Sequence, residues 1–465
     1  MMDLERLVAA LGAVEVVHRA PVEVRDLAYD ARAVTAGAVF FCVPGARADG
    51  HDFAPEAVER GAVALVVERP LGLPVPQVVV ADARAAMAVA ADEFFEHPTR
   101  ELDVVGVTGT SGKTTTSFLL FAILAAAGRR PGLLGTVEAR IGGERRGVAR
   151  TTPEAIDLQR LFREMLDVGD RSVAIEASSH ASDLHRLDRV RFAALVFTNL
   201  SQDHLDFHGD MESYFEAKRR LFLEGTPPAA INVGDEYGRR LAAELPDALT
   251  FGFAAGAQIG PDALDGIELK LRGRFNAENA LGALAAGRLL GIDDAAIARG
   301  IESIRGVPGR FEPVDEGQPF AVIVDYAHKP GALEHVLQAA RELTRGGRVL
   351  VVVGAGGDRD RGKRPLMGRI ASELADVAIV TSDNPRGEDP QAIIEEIVAG
   401  VVADVEVEPD RSAAIVRAIG LARDGDVVLI AGKGAEQGQQ LADRTIPFDD
   451  RDAAREALRS LGAGT

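Results

Sequence analysis

The chain has 465 residues, enough at roughly 150 residues per domain for about three domains. Hydrophobic residues at 47% and charged residues at 26% are ordinary for a folded chain and exclude disorder. Lys+Arg 52 against Asp+Glu 71 gives −19, with only 5% aromatics and no Trp, so nucleic acid and anionic membrane surfaces are excluded as partners on charge and stacking grounds. In chain order, the first block (1–98) mixes short strands over 38–43, 62–67 and 77–80 with a helix over 83–95. Cys42 lies in the first of these runs. As the single cysteine it rules out an internal disulfide and a Cys-based zinc site, reads as a core residue, and fits a reducing cytoplasm. Asp3 and Glu5 open the chain without a basic region, so no signal peptide is expected. His97-Pro98-Thr99-Arg100 reads as a linker, because Pro restricts its predecessor and breaks the helix.

The second block (99–307) opens with a strand over 102–107 that runs into a glycine turn. A helix follows over 113–127, closed by Gly128. Its apolar run, 118–127, is too short to span a bilayer. A hairpin is expected around Gly142-Gly143, with further strands over 173–175 and 194–197. The third block (308–465) alternates strands over 321–325, 349–353, 377–381 and 427–431 with helices. Apolar strands separated by helices imply a parallel sheet covered on both faces. Most polar, glycine-rich clusters follow strands: 108–115, 176–180, 198–208, 325–328, 354–361, 381–386 and 432–436. Ligands bind at the carboxyl ends of strands in such sheets, so this placement nominates the clusters as site material.

The strongest motif is Thr108-Gly109-Thr110-Ser111-Gly112-Lys113-Thr114-Thr115. Backbone N–H groups of a strand–helix turn form an anion cradle, Lys113 would reach the β/γ-phosphates, and the Thr114 hydroxyl would hold Mg²⁺. Val107 occupies the place of the first Walker A glycine, so the loop is a shortened one. Its structural alternative is a glycine turn with no ligand.

Gly109 to Thr115 resembles the shortened phosphate loop of the Mur ligases, the ATP-dependent amino-acid-adding enzymes of peptidoglycan synthesis. The similarity continues in order through Thr151-Thr152-Pro153, Glu176-Ala177-Ser178-Ser179-His180, 199–208, 214–222, 276–279, Gly309-Arg310, 325–328, 356–365, Asp383-Asn384-Pro385-Arg386 and 432–436. It covers nearly the whole chain and is most similar to the MurE type, which adds the third residue of the stem peptide. The resemblance implies an α/β chain of three domains: an N-terminal UDP-binding domain (1–98), a central P-loop ATPase-like parallel-sheet domain (99–307) and a C-terminal Rossmann-like domain carrying the amino acid (308–465). It implies that ATP phosphorylates the free carboxylate of UDP-N-acetylmuramoyl-L-alanyl-D-glutamate and that an amine attacks the acyl phosphate. The expected partners are small molecules only, for a cytoplasmic monomer with no membrane insertion.

The same resemblance assigns residues. Lys113, Glu176, His204 and Lys218 are the catalytic set. Thr114, Glu176, His204 and Lys218 hold Mg²⁺, with Lys218 as a carbamate. ATP is contacted by Gly109, Thr110, Ser111, Gly112, Lys113, Thr114, Thr115, Asn279, Arg310, Asp325 and His328. The sugar dipeptide is contacted by Tyr29, Ala31, Thr151, Thr152, Ser178, Arg186 and Lys218. Taken alone, Glu176 reads as a helix-capping carboxylate, His204 as a loop histidine and Lys218 as a solvated lysine on an amphipathic helix. Departures from the family pattern are Leu184 for Gln, Ala31 for Ser, the loop 45–50 without its polar pair, and Ala435 for His.

For the amino acid, Asp383-Asn384-Pro385-Arg386 resembles the meso-diaminopimelate signature. Diaminopimelate ends in a second amino-acid group whose carboxylate suits a bidentate guanidinium, whereas lysine ends in an ammonium that Arg386 would repel. Arg359 supplies a second cation, and Glu436 with the Gly432 carbonyl would take the distal ammonium. Taken alone, Arg386 reads as a surface arginine after a turn. The alternatives are ligation of L-lysine or another diamino acid, another amide ligase of the superfamily, a P-loop kinase or regulatory NTPase, and a catalytically dead scaffold.

Overall fold

The computed structural model describes residues 2–45, 48–344 and 346–462. Ala46 and Arg47, in the loop noted above, lie outside the described residues. The chain packs as two compact units: Met1–Thr108 with Gly128–Val196 and Ala217–Ala229, and Gly109–Ala127 with Phe197–Glu216 and Ala230–Thr465.

In the first unit a five-stranded sheet runs in the order Glu15–Val17, Gln77–Val79, Ala64–Val67, Ala38–Phe41, Asp26–Ala28. Only the first pair is antiparallel. Its two faces follow the two-residue strand period. Val39, Phe41, Ala64 and Val66 enter one core, and Ala38, Phe40, Leu65 and Val67 the other. Cys42 is buried in the second core, as expected. Helix Ala83–Phe94 begins at Asp82, whose carboxylate accepts from the N–H groups of Arg84 and Ala85, both at 2.8 Å. Pro98–Arg100 is a 3₁₀ turn with Pro98 and Thr99 buried, not an exposed linker. Thr99 Oγ1 accepts from the Arg191 N–H at 3.2 Å, which ties the turn down. A second sheet in this unit places Ser172–Glu176 parallel to both Asp103–Thr108 and Pro131–Leu134. The Gly142-Gly143 hairpin forms with Ile141 opposite Glu144. Glu176 pairs in register with Val107, at the carboxyl end of the strand.

In the second unit helix Lys113–Ala126 packs on helices Arg274–Leu289 and Asp294–Ser303. Gly300 permits the approach: a Cβ there would sit 2.5 Å from the Ile123 Cα. A six-stranded sheet runs in the order Glu312–Pro313, Ala321–Asp325, Val427–Ala431, Val349–Val353, Val377–Val380, Glu406–Val407. It is parallel except at its first pair. Val349, Val351 and Val353 face one core while Leu350 and Val352 face the other. The sheet is therefore covered on both faces, which is why its strands are apolar throughout. The loops 326–329, 354–362, 381–389 and 432–437 leave the carboxyl ends of its four central parallel strands, the ligand-binding edge of an open α/β sheet.

Candidate active site

The phosphate loop is shaped by its glycines. Gly109 has φ 144° and Gly112 φ 85°, which L-residues rarely adopt. A Cβ at Gly109 would lie 1.9 Å from Thr198 Oγ1, and one at Gly112 would lie 2.2 Å from Asn279 Oδ1. Around them the loop is stitched down. The Thr110 N–H donates to the Asn199 carbonyl at 2.9 Å and the Ser111 N–H to Asn199 Oδ1 at 2.9 Å. Thr198 Oγ1 donates to the Ser111 carbonyl at 2.6 Å. Thr110 Oγ1 sits 3.1 Å from the Tyr214 hydroxyl. Lys113 donates to the carbonyls of Gly109 and Thr110, each at 2.8 Å. Thr114 and Thr115 are buried in the first helical turn.

Five other expected residues of this unit cluster with the loop or with the edge of the C-terminal sheet. Arg310 Nη2 donates to Thr114 Oγ1 at 3.0 Å, and its guanidinium lies 4.3 Å from the Tyr326 ring centroid. Asn279 Nδ2 donates to Asn276 Oδ1 at 3.2 Å. Asp325 Oδ2 accepts from the Phe311 N–H at 2.7 Å. Burial pushes the Asp325 carboxyl up to about 6, against the opposing pull of Arg310. His328 Nδ1 is 2.7 Å from the Tyr326 carbonyl oxygen, and burial pushes the imidazole well below its ordinary range. His204 adopts a left-handed backbone with φ 53°. Its Nε2 lies 2.8 Å from Asp203 Oδ2, which also takes the Lys329 ammonium at 2.5 Å.

The amino-acid residues of the same unit form one network. Asn384 Nδ2 donates to Glu436 Oε2 at 2.8 Å. Lys433 donates to Asn384 Oδ1 at 2.9 Å and to Glu436 Oε2 at 3.2 Å. Glu436 is thus fixed without help from residue 435, where the family's imidazole is replaced by Ala435. Arg386 Nε donates to Gln440 Oε1 at 2.8 Å and Nη1 to the Gly357 carbonyl at 2.7 Å. Its Nη2 makes no hydrogen bond with a described residue, which leaves donors for a ligand. Asp383 and Pro385 are buried. A Cβ at Gly432 would lie 2.4 Å from Asp383 Oδ2. Arg359 is exposed, donating only to its neighbour's carbonyl at 3.0 Å.

The first unit holds Glu176, Lys218 and the residues expected at the sugar dipeptide. Glu176 is 1% exposed. It accepts from the Thr136 N–H at 2.7 Å and the Thr136 hydroxyl at 3.1 Å. It forms no ion pair with a described residue, and it caps no helix: the cap of the next helix is Ser178, which accepts from the Ala181 N–H at 3.2 Å. Thr151 Oγ1 is 3.0 Å from Thr136 Oγ1, and Thr152 Oγ1 donates to the Glu176 carbonyl at 2.7 Å. Arg186 donates to the Thr152 carbonyl at 3.1 Å and pairs with Glu154 at 2.8 Å. The Tyr29 hydroxyl donates to Asp157 at 2.6 Å, and Ala31 is buried in the 3₁₀ turn Ala31–Ala33. Lys218, on helix Met211–Leu223, is 1% exposed, so it is not a solvated lysine.

Among the described residues no three His, Cys, Asp or Glu side chains gather as a metal-binding group, and no helix is long and apolar enough to cross a membrane.

Family models match in succession: Mur ligase family, catalytic domain, over residues 23–97; Mur ligase middle domain over 107–287; and Mur ligase, glutamate ligase domain, over 309–434. A UDP-N-acetylmuramoyl-L-alanyl-D-glutamate–2,6-diaminopimelate ligase of Solibacter usitatus is 47% identical, covering 95% of each chain.

The chain belongs to the Mur ligase family.

A solved UDP-N-acetylmuramoyl-L-alanyl-D-glutamate–2,6-diaminopimelate ligase structure is 30% identical to this Mur ligase, with TM-score 0.65 over 95% of this chain and 96% of that one. The MurF ligase from Thermotoga maritima, solved in complex with ADP, shares the fold at 21% identity, with TM-score 0.61 over 94% and 96% of the two chains. The three-domain α/β architecture of the family is the architecture of this chain.

Sequence reasoning did not single out Asp203, Lys329, Lys363 or Glu154 as functional or structural centres. Glu154 pairs with Arg84, Arg150 and Arg186. For Lys363 a signal was present: it shares a helix face with Met367 and Ala371 at four-residue spacing, so the pattern already placed it inward. Lys218 carries the same signal, midway between Tyr214 and Phe222.

Proposed function

We propose that this Mur ligase uses ATP to join meso-2,6-diaminopimelate to UDP-N-acetylmuramoyl-L-alanyl-D-glutamate, as its relatives' names describe. The carboxylate oxygen attacks the γ-phosphorus, the bond to the β–γ bridging oxygen breaks, and ADP leaves. The amine then attacks the acyl carbon; the C–O bond to phosphate breaks, and the ammonium proton passes to water. Gly109 to Thr115, with Asn279, Arg310, Asp325 and His328, would bind ATP. Tyr29, Ala31, Thr151, Thr152, Ser178 and Arg186 would bind the sugar dipeptide, with Ala31 acting through its backbone. The domain boundaries 1–98, 99–307 and 308–465 and a monomeric state belong to the same reading.

The observation that carries the choice of amino acid is the half-spent guanidinium of Arg386. Two of its nitrogens are fixed by Gln440 and Gly357, which orients Nη2 for a carboxylate. Arg359 would add a second cation, and Asp383, Asn384, Pro385, Gly432 and Glu436 would line the rest. The residues that would hold Mg²⁺ are Thr114, Glu176, His204 and Lys218, the last as a carbamate; the ion would screen charge between carboxylate and phosphates. Glu176 fits that role, since a buried carboxylate with only two neutral donors lacks a cation. The hydroxyl and carboxylate oxygens also suit a hard ion.

Phosphate release tests the reading. Release is expected only when ATP, the nucleotide dipeptide and a diamino acid are all present, and Lys113→Ala should abolish it, because a cation is removed where phosphoryl charge develops. Release without dipeptide or amino acid would favour a kinase or NTPase.

A further inference from the structure

Lys363 opens helix Lys363–Leu374 and is 8% exposed, yet its ammonium makes no hydrogen bond or ion pair with a described residue. The next residue shows how unusual that is. Arg364 is fully buried and is bonded to Glu388 at 2.8 and 2.9 Å, to Glu396 at 2.7 Å and to the Gly356 carbonyl at 3.2 Å. A desolvated ammonium without an anion is costly, and burial draws the Lys363 pKa below its usual value. The helix it opens has no side-chain cap at Gly362, so its first N–H groups add to a positive local field.

The charges that act on Lys363 locate it. They are Asp203, Lys329, Asp383 and Asp360. Lys329 and Asp203 are already committed to each other at 2.5 Å, and Lys329 also lies 3.4 Å from the Thr110 carbonyl of the phosphate loop. Asp360 Oδ1 accepts from the Gly362 N–H at 2.8 Å. Asp383 begins the segment that ends in Arg386. Lys363 is therefore within electrostatic reach of Lys329, which touches the phosphate loop, and of Asp383 in the amino-acid segment, and it is bonded to neither. An anion that belongs to both is the phosphoryl group of the acyl phosphate, which is made from ATP and displaced by the amino acid.

We propose that Lys363 contacts a non-bridging phosphoryl oxygen of the acyl phosphate and stabilises the phosphate as the amine displaces it. The amine nitrogen bonds to the acyl carbon, the C–O(P) bond breaks with its electron pair going to the phosphate oxygen, and the ammonium proton is lost to water. The proposal rests on the ligase reading above.

The test uses the full chain with Lys363→Met and Lys363→Arg. Without ligands, Lys363→Met should unfold at a higher temperature than the wild type, because an unpaired buried charge is replaced by an apolar chain of similar length. Its kcat should fall about 100-fold or more, with KM for ATP and for the amino acid near wild-type values, and Lys363→Arg should recover part of kcat. A merely structural lysine would instead lower the unfolding temperature and leave kcat of the folded fraction intact, which would overturn the proposal. A rise in KM for the amino acid alone would place its carboxylate on Lys363 and also overturn it. Failure of the ligase reading looks different: the wild-type chain itself would release no phosphate, and the proposal would fall with it.

Discussion

At the carboxyl edge of the C-terminal sheet, Arg411 and Asp450 are both 0% exposed and answer each other in two bonds of 2.7 Å, with Arg411 also donating to the Ala431 carbonyl, the last residue of its strand, at 3.0 Å. At the same edge Lys363 is nearly as buried, yet it forms no ion pair or hydrogen bond with a described residue. Glu176, in the other unit, repeats the pattern with opposite sign: buried, with neutral donors only. The difference separates structure from function. A saturated buried pair holds elements in register, and little is left over to bind anything. A buried charge left unsaturated costs stability until a ligand supplies what is missing, which is how binding energy is directed to the reacting groups.

Two substitutions break this comparison at its two ends. The larger effect is on stability: Arg411→Ala leaves Asp450 buried and unpaired, and should cost about 3–5 kcal/mol. Denaturant unfolding reads this as a lower midpoint at an unchanged slope. A midpoint shift near zero would mean that the pair is not the anchor described here. The smaller effect is on activity and concerns Lys218. As a carbamate it forms when the neutral amine attacks CO₂ and loses a proton, and Lys218→Ala should then lose about 100-fold in rate. Short carboxylates such as acetate should partly restore the activity by supplying the missing oxygens. Full activity of the variant would reject the carbamate.

Much of the second unit was legible in the chain. Strand 349–353 was read with its observed limits, and the glycine-rich loops fall at strand ends because apolar runs and glycine punctuation are local signals. The turn at 98–100 was not legible. Pro98 breaks the helix as expected, but burial of Thr99 depends on Arg191, 92 positions away. The placement of Glu436 was similarly hidden. Ala435 departs from the family pattern, and the residues that hold Glu436, Asn384 and Lys433, are brought to it only by the fold. Lys363 was missed for another reason, and the same reason makes Lys218, taken alone, read as a solvated lysine. Residue type alone puts lysine in solvent, while the helical spacing of their apolar neighbours already pointed inward.

Amino-acid-dependent phosphate release, measured with meso-diaminopimelate and L-lysine at equal concentrations, tests the central claim most directly. Arg386 and Arg359 should favour diaminopimelate, with loss of the Arg386 pair costing on the order of 2–4 kcal/mol of discrimination. The wild-type chain should turn over diaminopimelate and leave lysine essentially unused, and Arg386→Lys should narrow that gap by raising KM for diaminopimelate far more than KM for ATP. Equal turnover of lysine and diaminopimelate by the wild-type chain would contradict the account.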